Sequence, residues 1–228
     1  IVHNKFMSFF DTGYFKKSAS RSSLAKKRSI KNKVLAWELN KKYYDGKRIN
    51  GYGGYKYDAR WKKFLPKIIK KYKLSGKSKV LDLGCKKGFF LKDLRDLIPG
   101  IKIHGIENHY YPIQHAHKNV KKYLSFSNYY DLKFKNKHFD LVFAFNSIYS
   151  QNLGDVVKTL KEMQRVSKNA YVVLASCNND KERNEFYKWT LIGTTILYKK
   201  EWLKLFKIVG YKGDHFFSTS KSLGLKSK

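Results

Sequence analysis

The sequence has 228 residues, 42% of them hydrophobic and 16% aromatic, and its 49 Lys or Arg against 17 Asp or Glu give a net charge of +32. That much apolar material excludes a chain disordered throughout and suits one domain with appendages. The longest apolar run, Ala170 to Ala175, is far short of the roughly 20 residues a membrane-spanning helix needs, and no secretory signal is read at the N-terminus.

The two cysteines, Cys85 and Cys177, are too few for a disulfide framework or a four-ligand zinc site. A reducing intracellular compartment, the mitochondrial matrix or the cytoplasm, is therefore expected. The charge is uneven: residues 1 to 78 carry 22 basic and 4 acidic side chains. Lys16 to Arg48 reads as an extended basic arm with a helix near Ile30 to Lys42, and the composition of residues 1 to about 45 predicts few contacts with the core. Residues 1–60 are taken as this arm and a Gly/Tyr-rich lid segment, 61–217 as the folded domain, and 218–228 as a flexible basic tail.

Downstream, short β-rich runs alternate with helix-period segments, the mark of a mostly parallel sheet with helices on both faces. Phe64, Leu65, Ile68, Ile69 and Tyr72 form one helical face. Strands are predicted at Lys79 to Leu83, Ile101 to Glu107, Phe139 to Phe145, Ala170 to Ala175 and His215 to Ser218. Helices are predicted at Phe89 to Leu97, Tyr111 to Lys122, Leu153 to Val166 and Lys200 to Val209. The histidines show no metal-ligand spacing, since His115 and His117 point to different sides of their predicted helix, so no metal site is expected. Trp189 and Trp202 read as core or lid aromatics.

Val80-Leu81-Asp82-Leu83-Gly84-Cys85-Lys86-Lys87-Gly88 is a strand followed by a glycine turn and a helix start, and Glu107 closes the next strand. A nucleoside cofactor fits that geometry, because glycines let the backbone approach it and the acid accepts bonds from ribose hydroxyls. The G-x-x-x-G spacing lacks the G-x-G-x-x-G pattern of a pyrophosphate-binding turn. This motif resembles that of the class I S-adenosylmethionine-dependent methyltransferases. Phe139 to Val142, Leu160 to Lys168 and Glu201 to Tyr211 look like later elements of that family, in order, over about residues 79 to 217. The resemblance implies a Rossmann-like α/β sandwich with a seven-stranded sheet. It also implies that Asp82, Gly84 and Gly88 surround the methionine end of the cofactor, with Glu107 on the ribose, Asn128 near the adenine edge and Cys85 a further cofactor-binding candidate in the turn.

Tyr44 to Arg48, Gly51 to Asp58 and Arg60-Trp61 look like a lid segment found in bacterial small-molecule methyltransferases of surface-sugar pathways. Asn146 and Tyr149 have the spacing of an amine-binding N-P-P-Y motif without its prolines, and are the candidate catalytic residues. The chain departs from the family at Lys86, where members usually have glycine; a lysine cation beside a sulfonium implies weakened or lost binding. Lys133 replaces a usual proline and Asn128 a common Asp.

A charge of +32 repels itself unless a polyanion compensates, and RNA is the expected one. Lys16, Lys17, Arg21, Lys26, Lys27, Arg28, Lys62, Lys63, Lys67, Lys70 and Lys71 are the candidate phosphate contacts. The favoured reading is a methyltransferase-fold protein bound to RNA, a ribonucleoprotein component such as one of an organellar ribosome, with its transfer activity reduced or lost. The alternative is an active S-adenosylmethionine-dependent methyltransferase on a small molecule such as a sugar.

Overall fold

A computed structural model describes residues 7–225. The N-terminal third holds helices α1 (Ala19–Lys27), α2 (Ile30–Trp37), α3 (Lys41–Tyr44) and α4 (Leu65–Tyr72). Next come β1 (Lys79–Leu83), α5 (Phe89–Leu97), β2 (Lys102–Glu107), α6 (Tyr110–Gln114), β3 (Leu124–Phe126), β4 (Leu141–Phe145) and α7 (Leu153–Val166). The chain continues through β5 (Ala170–Cys177), α8 (Asp180–Trp189), β6 (Leu197–Tyr198), α9 (Lys199–Val209), β7 (Asp214–Ser218) and α10 (Ser220–Leu223).

The strands order as β3-β2-β1-β4-β5-β6 with β7 also on β5, and every pairing between these strands is parallel. The β1 strand is interior, between β2 and β4, so chain order reverses direction beside it and opens a crevice at its C-terminal end. Both faces are covered, which is why β4 and β5 are buried along their whole length and read as continuous apolar runs. Val80, Phe143, Phe145 and Tyr171 pack with Leu65, Ile68, Leu91 and Leu94 from α4 and α5. Leu81, Val142, Val172 and Leu174 pack with Leu160, Met163, Trp202 and Phe206 from α7 and α9 on the other face.

The N-terminal segment departs from the expected arm. Its Phe10 N–H donates to the His215 carbonyl at 2.9 Å and the His215 N–H to the Ser8 carbonyl at 2.9 Å, so the chain runs along β7. Phe15 stacks between Phe145 and Phe216, with ring centres 5.4 and 5.1 Å away. Tyr14 stacks on Trp61 at 4.7 Å. The expectation of few core contacts is corrected: the aromatics just ahead of Lys16 pack on the core and tie this segment down. The C-terminal tail is likewise packed as far as it is described, with Leu223 and Leu225 buried, where fraying was expected.

Two further differences have local causes. The helix predicted over Tyr111 to Lys122 stops at Gln114, because the His117 N–H donates to the Lys87 carbonyl at 3.0 Å and draws the chain onto the glycine turn. The helix α8 and the short strands β3 and β6 are additions. Replacing Phe15 by Ala should lower the unfolding free energy by about 2 kcal/mol, measured by urea denaturation; an unchanged stability is the result a free arm gives.

Candidate functional site

Two glycines with positive φ, Gly84 at +77° and Gly88 at +76°, shape the turn after β1, and Lys86 between them is also left-handed at +53°. Gly84 is confined: a Cβ there would clash with Ser147, whose hydroxyl donates to the Leu83 carbonyl at 2.6 Å. A Cβ on Gly88 would stand 2.8 Å from Val120 Cγ2. Close approach of neighbouring strand ends, as well as backbone sign, thus requires glycine at these positions.

The Lys86 N–H donates to Glu107 Oε2 at 2.9 Å, while Glu107 Oε1 accepts from the Asn108 N–H at 3.0 Å and the Tyr129 hydroxyl at 3.1 Å. These bonds fix a buried carboxylate at the tip of β2. The Lys86 side chain folds back along the turn, with Nζ 3.4 Å from the Gly84 carbonyl. Asp82, buried in β1, has its carboxyl pushed up to about 7, first by burial; Lys86 opposes the shift and Glu107 adds to it.

The Tyr/Gly segment roofs this turn. Asp45 accepts from Lys87 Nζ at 2.7 Å, from the Tyr111 hydroxyl at 2.7 Å and from the Tyr55 N–H at 3.1 Å. Burial opposes ionisation of Asp45, but the bonds from Lys87 and Tyr111 outweigh it and hold the carboxyl below its ordinary value. Buried Asp93 on α5 accepts from the Tyr57 hydroxyl at 2.5 Å and the Trp61 N–H at 3.1 Å. Between these ties the rings of Tyr44, Tyr52 and Tyr55 stack on one another, on Tyr111 and on Phe89. A Cβ on Gly51 would clash with the Tyr43 carbonyl, so the fold of the roof depends on that glycine.

Beneath the roof lies a cavity of about 260 Å³ that reaches from Gly84, Lys86 and Glu107 past Asn146, Ser147 and Tyr149 to Arg21, Arg28 and Arg48. Of the residues singled out from sequence, Gly84, Glu107, Asn146 and Tyr149 line it. Asp82, Cys85 and Gly88 do not line it. Asn128 does not line the cavity and accepts from the Tyr130 N–H at 3.2 Å; Asn108, His109 and Tyr129 line that end instead. Among the phosphate candidates, Lys16, Lys17, Lys26, Lys27, Lys62, Lys63, Lys67, Lys70 and Lys71 are exposed, whereas Arg21 and Arg28 turn to the cavity. Arg48 and Tyr52, read from sequence only as parts of a lid, and Trp189, read as a core or lid aromatic, also line it, as does Tyr43, which sequence reading missed. The use of arginine in a lysine-rich chain was the available signal.

Among the described residues no cluster of His, Cys, Asp or Glu could hold a metal ion, and no helix is long and apolar enough to cross a membrane. Both cysteines are free and buried.

Residues 74–210 match the family described as a methyltransferase domain. Solved structures share the fold: YcgJ from Bacillus subtilis, 16% identical over 64% of this chain and 66% of its own, has a TM-score of 0.52. The 4+2 cyclase SpnF is 18% identical over 67% of this chain and 56% of its own, with a TM-score of 0.50. The match thus spans less than two thirds of either chain's own length. No curated protein matches the sequence.

Two substitutions probe this geometry. Asp45→Asn leaves the Lys87 ammonium, 8% exposed, without its counter-ion and should cost on the order of 3 kcal/mol in thermal or urea unfolding. Asp82 has a folded value raised above the ordinary 3.8, so its contribution is fully present below about 4 and declines as pH rises through about 7. The stability advantage of Asp82→Asn over the native chain should therefore grow between pH 4 and 7, by up to about 4 kcal/mol, in paired denaturation curves.

Proposed function

Because the chain belongs to the methyltransferase-domain family of class I S-adenosylmethionine-dependent enzymes, we propose that it binds S-adenosylmethionine at the Gly84 turn and methylates a small acceptor held in the roofed cavity. The observation that carries this reading is the continuity of that cavity: one space joins the Gly84 and Glu107 end to Asn146 and Tyr149. The fold alone does not choose the reaction, since one protein that shares it is a cyclase.

The residues present fit the cofactor in three respects. Glu107 presents a fixed carboxylate to the cavity, Gly84 leaves the turn without a side chain, and polar Asn108 and His109 extend the same wall. When bound, S-adenosylmethionine supplies a sulfonium methyl that passes to an acceptor nucleophile, leaving a neutral thioether as the acceptor's proton departs to solvent. Glu107 holds the ribose, and Asn146 and Tyr149 orient the acceptor. Burial pushes the phenols of Tyr43 and Tyr149 up, so both stay neutral at physiological pH and act by packing and hydrogen bonding rather than as bases. Positioning is sufficient for transfer to a good nucleophile. The Tyr/Gly roof favours an acceptor such as a sugar, and the two free thiols fit a reducing compartment, the mitochondrial matrix or the cytoplasm.

A specific observation favours a second reading. The net charge of +32 and the exposed lysines of α4 suit an RNA-bound protein, a ribonucleoprotein component of reduced or lost activity. Against it, the segment cast as its anchor packs on the core, and Arg21 and Arg28 serve the cavity.

Calorimetric titration separates the two. The native chain should bind S-adenosylmethionine, Lys86→Gly should bind several-fold more tightly by removing the competing ammonium, and Glu107→Ala should lose about 1 to 3 kcal/mol. Absence of binding in both the native chain and Lys86→Gly, together with salt-sensitive RNA binding, would establish the second reading instead.

A further inference from the structure

Only seven of the 49 cationic residues are arginines, and three of those seven meet at the outer end of the cavity: Arg21 on α1, Arg28 just after it, and Arg48 in the roof. Lysine supplies most of the charge elsewhere, but only arginine supplies a planar fork of donors. The guanidinium carbons of Arg28 and Arg48 lie 4.3 and 5.3 Å from the centre of one indole, Trp189. Burial first, and the charge of Arg48 second, pull both Arg21 and Arg28 below the ordinary arginine value. Among the described residues no ion pair joins any of the three to a carboxylate.

The three do not have the same task. Arg28 donates from Nε to the Ile49 carbonyl at 3.2 Å, from Nη2 to the Arg48 carbonyl at 3.3 Å, and from Nη1 to the Trp189 carbonyl. It pins the end of α1 to the roof and to α8. Arg21 donates through Nη1 alone, to the Leu223 carbonyl at 3.0 Å and to that of Lys16, and Arg48 through Nη1 alone, to the Gly51 carbonyl. Each therefore keeps Nε and Nη2 without a protein acceptor among the described residues. A second cavity of about 310 Å³ shares Arg21, Arg48 and Trp189, and adds Ser20, Ser23 and Lys27. Two incompletely used forks, an ammonium and two hydroxyls thus face one space with no anion of the chain among them.

We infer that this mouth is an anion-binding subsite, and that the methyl acceptor carries a phosphate or carboxylate which Arg21 and Arg48 grip while its body reaches inward to Asn146 and Tyr149. Paired forks suit either anion bidentately. The identification of the ligand as the acceptor rests on the methyltransferase reading; the anion site does not. An RNA phosphate is disfavoured here because Arg21 and Arg48 line the cavity that runs inward to the Gly84 turn, whereas the exposed lysines of α4 do not line it.

The test uses the full chain and its Arg21→Gln and Arg48→Gln variants, with Arg28 left intact because its bonds hold the roof. Inorganic pyrophosphate, succinate and glucose are titrated by calorimetry, alongside S-adenosylmethionine. Pyrophosphate or succinate should bind the native chain, whichever binds naming the anion. Either variant should weaken that binding at least five-fold, leave S-adenosylmethionine binding unchanged, and leave glucose without measurable binding. Anion binding equal in all three proteins, or none to the native chain, overturns the inference; so does displacement of bound pyrophosphate by a short RNA that loses affinity in the same variants. Arginine-dependent anion binding without S-adenosylmethionine binding would retain the subsite and reject the methyltransferase reading, whereas the reverse result rejects the subsite alone.

Discussion

Lys87 lies inside the glycine turn with its ammonium almost wholly removed from water, and a buried cation of that kind is tolerable only with a fixed counter-charge. Asp45 supplies it from a segment more than forty residues earlier, and the same carboxylate takes the Tyr111 hydroxyl and the Tyr55 N–H. One ion pair therefore sets where the tyrosine roof sits above the turn. The cavity, its aromatic wall and its arginine mouth all follow from that placement. A second tie at Asp93 fixes the other end of the roof to α5.

Charge in this protein divides into two kinds. Most lysines are exposed and solvated, some in surface pairs such as Lys133 with Asp131, which contribute little to stability. The informative charges are few and partly or wholly withdrawn from solvent: Asp82 and Glu107 at the turn, Lys87 with Asp45, and the arginines around Trp189. A composition total cannot tell these classes apart, because withdrawal from water, and not number, sets the energy of a charge.

The N-terminal segment shows the same distinction in apolar form. Phe10, Tyr14 and Phe15 stand just ahead of the basic stretch that begins at Lys16, yet all three pack on the aromatic core and Tyr14 and Phe15 line the cavity. The domain thus uses what reads as an appendage as a structural wall. Its helix α1 holds Arg21 and places Arg28 at its end, where both line the cavity.

The sequence by itself determined the sheet core and the glycine turn. Strand β1 and helices α5 and α7 lie where periodicity puts them, since burial on a regular element repeats at fixed intervals and so leaves a local signal. Gly84, Gly88 and Glu107 were legible because backbone sign and close approach constrain residue type at each position. Helix α8 left no such signal: only Phe186 of its ten residues is buried, and its register is set by the N-cap of Asn179. What only the tertiary structure decided was which distant side chains converge. Asp45 with Lys87, Phe15 between Phe145 and Phe216, and Arg28 and Arg48 about Trp189 are separated by tens to well over a hundred residues. Pairing of that kind depends on the packing of the whole chain, which neither period nor composition encodes.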